Sequence, residues 1–191
     1  MSARPIATTR SAAGLPTPNL AVWWLIVSEI VIFGGLLGGY IMHRLAHQDW
    51  AEQAAHTNVW IGAFNTFVLL TSSLSAVLAH KAALEGDGPK AARLLWMTIG
   101  GAVTFLVVKG FEWTMEIQAG YTITSNGFWS FYYTAAGLHA AHVIAGAICM
   151  IFVAADAAKY RELHRVEICG IYWHFVDLVW IFLFPLLYIA K

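Results

Sequence analysis

The sequence predicts an all-α fold, an integral membrane bundle of five transmembrane helices, and three observations carry that reading. Of its 191 residues, 59% are hydrophobic and only 12% charged, a balance that a soluble domain cannot hide from water. Five apolar stretches each exceed the ~20 residues needed to cross about 30 Å of hydrocarbon. Short polar connections separate them: "HRLAHQDWAEQAAHT", "KAALEGDGPKAAR", "EIQAGYTITSN" and "AKYRELHRVE". No internal repeat or extramembrane domain interrupts the series. The formal net charge is zero, which argues against nucleic acid as a partner.

Residues 1–19 are polar and carry Pro5, Pro16 and Pro18, so they read as a disordered cytoplasmic tail. The apolar run that follows is too long for a cleavable signal and contains Glu29. The five-helix domain then occupies residues 20–191, with spans at about 20–43, 58–80, 92–113, 128–156 and 168–190. Alternating helices place eight basic residues on one side: Arg4, Arg10, Lys81, Lys90, Arg93, Lys159, Arg161 and Arg165. Three remain for the other: Arg44, Lys109 and Lys191. This asymmetry predicts a cytoplasmic N-terminus and a periplasmic or extracellular C-terminus. The localisation that follows is a multi-pass position in a membrane.

The first span carries Glu29 about 9 residues from its start, roughly 13 Å along the axis. No basic residue lies within a turn of it in sequence. Such a carboxyl is expected to be protonated, hydrogen-bonded or beside internal water, in either a proton-linked, a lipid-linked or a packing role. The second span repeats Thr66, Ser73 and His80 every seven residues, with Asn65 and Ser72 alongside. Small and hydroxylated residues on one stripe let membrane helices approach closely, so this stripe is expected to serve helix packing. Lys109, Glu112 and Glu116 at the end of the third span have the spacing of a structural ion pair.

The fourth span holds His139 and His142 on one face, in "GLHAAHVIAG". Two histidines three apart can contribute to a metal site, yet no cysteine–histidine cluster supplies further ligands. A haem held between His142 and His174 is the rival to hydrogen-bonded packing histidines. The fifth span contains "EICGIYWHFVDLVW", where Glu167, His174 and Asp177 stand at i, i+7 and i+10, close to one face. Polar side chains aligned this way face protein or trapped water. They are expected to bond to the fourth helix through His139 or His142. Cys149 and Cys169, twenty residues apart in apolar stretches, form neither a CxxC motif nor a disulfide framework and read as small core residues.

The last two spans resemble a known family. "GFWSFYYTAAGLHAAHVIAG", then Glu167 seven residues before the histidine of "YWHFVDLVWIFLF", is similar to the last two helices of subunit III of the haem–copper cytochrome c oxidases. His139, His142, Val143, Gly146, Glu167, Trp173, His174, Phe175, Val176, Asp177 and Trp180 fit its pattern. "FNTFVLLTSSLSAVLAH" resembles its asparagine–threonine and serine-rich helix, and Glu29 in "VSEIVIFGG" its buried glutamate. The resemblance runs from about residue 20 to 190. Seven-helix members carry two more N-terminal helices, and the present chain resembles the shorter five-helix bacterial type.

The resemblance implies a non-redox accessory subunit of a proton-translocating terminal oxidase. It implies no catalytic residue, metal or cofactor in this chain, with haem and copper in partner subunits. It further implies direct contact with subunit I, a complex with subunit II and other respiratory subunits, and bound structural phospholipids. Such subunits stabilise subunit I and sustain proton uptake during aerobic respiration. The accessory protein of nitric oxide reductase shares these motifs and stays open as an alternative, as does a stand-alone membrane haem protein. Neighbouring genes separate the first two, and a visible spectrum tests the third.

Overall fold

The computed structural model describes residues 17–47 and 50–190, with side chains from residue 20 onward. The expected tail at residues 1–19 falls almost entirely outside the described residues. The described residues form six helices in the order α1 (Thr17–Ala46), α2 (Trp50–Ala54), α3 (Val59–Leu84), α4 (Gly88–Gln118), α5 (Gly127–Ala157) and α6 (His164–Phe184). A π-helical turn at Pro185–Ile189 closes the chain. Five of these segments are long and apolar enough to cross a membrane, and no strand forms among the described residues. The helices overrun the predicted spans at most ends, because capping residues and not hydropathy decide where a helix stops.

Those caps are local and legible. Asn58 accepts the backbone N–H groups of Trp60 and Ile61 at the start of α3. Asp87 accepts that of Lys90 at 3.0 Å, with Pro89 in the first turn of α4. Asn126 accepts that of Trp129 at the start of α5. Gly86, at φ +77°, makes the tight reversal between α3 and α4 that an L side chain resists. The short α2 lies inside a connection that sequence hydropathy reads as a loop. Its Trp50 is buried against Tyr40, Phe128 and Phe131, so tertiary packing makes the helix.

α3 and α4 pack most closely. α3 buries Ser72, Ser75, Ala76 and Ala79, α4 buries Ala91, Leu95, Thr98 and Ala102, and Ser72 lies against Gly101 in their contact. The Ser75 and Thr98 hydroxyls meet across it at 2.7 Å. α6 lies against both α3 and α5, while α1 packs only on the outside, against α5 and α6. Membrane helices gain no hydrophobic drive from one another, so small residues and hydroxyls are what allow this approach.

Two adjacent glycines make that statement testable. A Cβ on Gly101 would stand 2.6 Å from the Ser72 Cβ, whereas one on Gly100 meets nothing within 4 Å. Gly101→Ala is expected to force α3 and α4 apart at a cost of about 1–3 kcal/mol. Gly100→Ala should be neutral or slightly stabilising, since alanine is the better helix former. Thermal midpoints of the two variants in the same detergent decide the matter, and equal midpoints would refute the close-approach reading.

Candidate functional site

The polar side chains that sequence places in the membrane separate into three groups. The first is a seam between α3 and α6. The Trp173 indole donates to Ser72 Oγ at 3.2 Å, and the Trp180 indole to Thr66 Oγ1 at 3.0 Å. His174 Nδ1 lies 2.7 Å from Ser73 Oγ, and Asp177 is buried three residues further along α6. His174 therefore engages α3, not the α5 histidines expected from sequence. α6 offers its polar face to two neighbours, and the hydroxyl-bearing one takes it. Glu167 lies half-buried in the first turn of α6, and His80 is half-buried near the end of α3.

The second group joins α1 to α5. Glu29 Oε2 stands 3.0 Å from His142 Nε2, with both side chains largely enclosed. The partner missing near Glu29 in sequence is thus supplied from the fourth span. His142 Nδ1 is 2.8 Å from the Leu138 carbonyl, which can only accept, so Nδ1 carries a hydrogen. Nε2 is thus the ring nitrogen left to face the Glu29 carboxyl. Beside it, Val22, Leu25, Ala145, Cys149, Cys169 and Tyr172 line an apolar cavity of about 490 Å³ between α1, α5 and α6.

The third group sits where α2, the π-helical turn and the ends of α4 and α5 meet. Lys109 is 2% exposed. Its ammonium donates to Glu112 Oε2 at 2.9 Å, to the Tyr132 hydroxyl at 2.9 Å and to the Tyr188 hydroxyl. Tyr132 in turn donates to Glu116 Oε1 at 2.8 Å. The sequence spacing shows the lysine and its two glutamates. It does not show that both tyrosines complete the shell, because they come from separate helical segments.

Several buried groups keep no hydrogen-bond partner among the described residues. Among them are both ring nitrogens of His139, both polar atoms of Asn65, both oxygens of Asp177 and one oxygen each of Glu29, Glu112 and Glu116. His139 is fully enclosed, 5.4 Å from the Phe105 ring and 5.1 Å from that of Trp180. Such orphans cost about 1–3 kcal/mol each unless water reaches them. Among the described residues no group of three or more His, Cys, Asp or Glu side chains is placed to hold a metal ion. His142 turns to Glu29 and His174 to Ser73, so the two do not form a facing ligand pair.

A family model described as cytochrome c oxidase subunit III matches residues 12–191. The chain belongs to this family. The relatives agree along the whole length. The cytochrome c oxidase subunit 3 of Corynebacterium diphtheriae is 32% identical, covering 98% of this chain and 97% of that protein. Its counterpart from Thermostichus vulcanus is 29% identical, covering 86% and 83%. A heme-copper oxidase subunit I+III of Aeropyrum pernix is 29% identical over 89% of this chain and 22% of its own length. A subunit III of this family is an accessory subunit of the oxidase complex, and five spanning helices make this one a multi-pass membrane protein.

Two outcomes follow from the geometry. Lys109→Met strands two buried carboxylates without their cation and is expected to cost about 3–5 kcal/mol, with Lys109→Met plus Glu112→Gln recovering part of it. Unfolding in detergent checks this, and a harmless single variant would contradict it. Glu29→Gln should hold the fold, because the amide keeps the shape and the hydrogen-bonding capacity of the carboxyl. Glu29→Leu should lose about 1–3 kcal/mol through the orphaned imidazole. Equal stability of these two variants would show that the contact does no structural work.

Proposed function

We propose that this chain is the non-redox accessory subunit III of a haem–copper terminal oxidase, seated directly on subunit I. The observation that carries the reading is the full-length family match, together with the Aeropyrum pernix relative in which subunits I and III are one polypeptide. A fusion is workable only where the two parts lie side by side. The oxidase names of the relatives favour an oxidase over the nitric oxide reductase alternative. Haem and copper then belong to the partner subunits, including subunit II, and this chain contributes no catalytic residue.

Its contribution is physical. The α3–α4–α5–α6 bundle presents a stable wall to subunit I, and its helix-packing stripe at Asn65, Thr66, Ser72, Ser73 and His80 keeps that wall together. The apolar cavity between α1, α5 and α6 suits a phospholipid acyl chain, within the ~300–1,000 Å³ range of small-molecule sites. A stable lipid boundary and a steady subunit I surface sustain proton uptake. The buried polar groups Glu29, His139, His142, Glu167, His174 and Asp177 act in this reading as structural or proton-linked residues. The basic asymmetry of the sequence supports a cytoplasmic turn between α3 and α4, and the bacterial relatives support a bacterial inner membrane.

Affinity purification of the tagged chain, followed by mass spectrometry and visible spectroscopy, tests the assignment. Oxidase subunits I and II are expected in the eluate, with haem absorbance that tracks subunit I and is absent from the isolated chain. The complex stripped of this chain should keep its redox spectrum but turn over more slowly or for a shorter time. Recovery of nitric oxide reductase subunits instead, or stoichiometric haem on the isolated chain, would overturn it.

A further inference from the structure

The end of α1 carries a pair of histidines that neither the polar seam nor the Lys109 cluster uses. His43 sits in the last turn of α1 and His47 one turn further on, at i and i+4, so both fall on one face. Both side chains are exposed. The His43 carbonyl accepts the backbone N–H of His47 at 3.1 Å and its ring Nδ1–H at 2.9 Å. A carbonyl can only accept, so in the neutral ring Nδ1 of His47 carries the hydrogen and the lone pair is on Nε2. A backbone carbonyl on the second nitrogen is a usual means of orienting a metal-ligating imidazole.

The two rings are inclined by only 14°, with centroids 5.7 Å apart. An imidazole bonded to zinc holds its centroid roughly 3.2 Å from the ion, which puts two rings on one tetrahedral ion about 5.2 Å apart. The pair therefore stands a small side-chain rotation from sharing an ion. Buried Trp50 backs both rings, 6.3 Å from His43 and 6.2 Å from His47. These three residues line a cavity of about 210 Å³, with Gln53 and Asn126 also on its wall. The two amides are engaged with α5 and with each other. Asn126 Nδ2 donates to Gln53 Oε1 at 2.8 Å, and the Trp129 indole donates to the same oxygen at 3.3 Å. The imidazoles are the groups that the wall leaves for a ligand. As the negative pole of its helix, the carbonyl end of α1 favours a cation there.

We propose that His43 and His47 form an exchangeable site for a divalent zinc-class cation, with water in the coordination positions that the two imidazoles leave open. Imidazole nitrogen selects such ions over magnesium and calcium, which require oxygen ligands. The bound ion crosslinks His47, just beyond the helix, to the last turn of α1, and so steadies the segment that leads into Trp50. Among the described residues no third His, Cys, Asp or Glu joins the pair, so the ion is weakly held and open to a further ligand. The site is no redox centre and places none of the oxidase's haem or copper in this chain. It requires neither a bilayer nor the oxidase partnership, so it fails separately from the accessory-subunit assignment.

The untagged full chain in detergent, washed with chelator and titrated with Zn²⁺ by calorimetry, provides the test. Wild type should take up one equivalent saturably in a background of excess Mg²⁺. His43→Gln and His47→Gln should each weaken that uptake at least about tenfold. Their thermal midpoints in chelator should match wild type, since both side chains are exposed. Cu²⁺ loaded in place of Zn²⁺ should show two coordinated nitrogens by electron paramagnetic resonance in wild type and one in each variant. The wild-type nitrogen count stands alone should a variant misfold. Absence of saturable uptake by wild type overturns the proposal. So does uptake that either substitution leaves undiminished, because the metal then sits on other histidines. A single coordinated nitrogen in wild type overturns it equally.

Discussion

A lysine ammonium carried inside a helical bundle has to find its own solvation shell, and Lys109 draws that shell from three parts of the chain. Glu112 comes from its own helix, Tyr132 from α5 and Tyr188 from the turn that ends the chain. The aromatic faces of Tyr132, Tyr188 and Trp180 lie within 6 Å of the charge, adding cation–π attraction. Desolvating an ammonium costs several kcal/mol, so an incomplete shell would make this the weakest point of the fold. Complete, it fixes the ends of α4, α5 and α6 relative to one another. The unwinding to π geometry at Pro185 belongs to the same arrangement, since it is this turn that carries Tyr188.

The other end of the seam is held differently. Between α3 and α6, two indoles donate to two hydroxyls, and an imidazole meets a third. Each such bond in a membrane bundle is worth about 0.6–2 kcal/mol, small beside the Lys109 cluster, so their value lies in register as much as energy. Trp173 and Trp180 are seven residues apart, as are Ser73 and Thr66, and Ser72 adjoins the former. A slip of one residue would break every bond in the set. The bulky indoles also fill space that small residues on α3 leave open.

How much of this the sequence displays depends on distance along the chain. Five spans are plain because apolar runs of that length have no other use, and the i, i+7 stripes identify which faces are buried. Glu112 and Glu116 are visible beside Lys109 because helical neighbours are sequence neighbours. What the sequence hides is which helix stands opposite. Glu29 finds His142 on a helix that sequence order does not place next to α1. His174 turns to α3 because α6 is wedged between α3 and α5, and nothing in its own segment distinguishes the two. α2 stays hidden because polar residues surround Trp50, and its helix exists only once Tyr40, Phe128 and Phe131 are in place. The family resemblance reached the identity that spacing alone could not, since it rests on motifs and not on contacts.

α1 shows the limit of what the chain settles by itself. Within the apolar window of each span, only 17% of α1 is buried by protein, against 39–50% for the others. Its buried residues Ile26, Phe33 and Tyr40 recur every seven positions, with Glu29 between the first two, so contact is confined to one narrow stripe. Three attachments act along it. Glu29 meets His142, Phe33 presents an edge to the same imidazole at 5.5 Å, and Tyr40 donates to the Leu186 carbonyl at 2.7 Å. The rest of the helix, with Trp23, Trp24, Val31 and Met42 exposed, is largely apolar up to His43 and Arg44 in its last turn. A surface of that composition is stable only against acyl chains or another helix. The polar attachments serve both cases alike, because neither lipid nor an apolar neighbour can replace the imidazole that Glu29 requires. Specificity in placing α1 therefore resides in its few polar contacts, while its apolar surface leaves open what stands beside it.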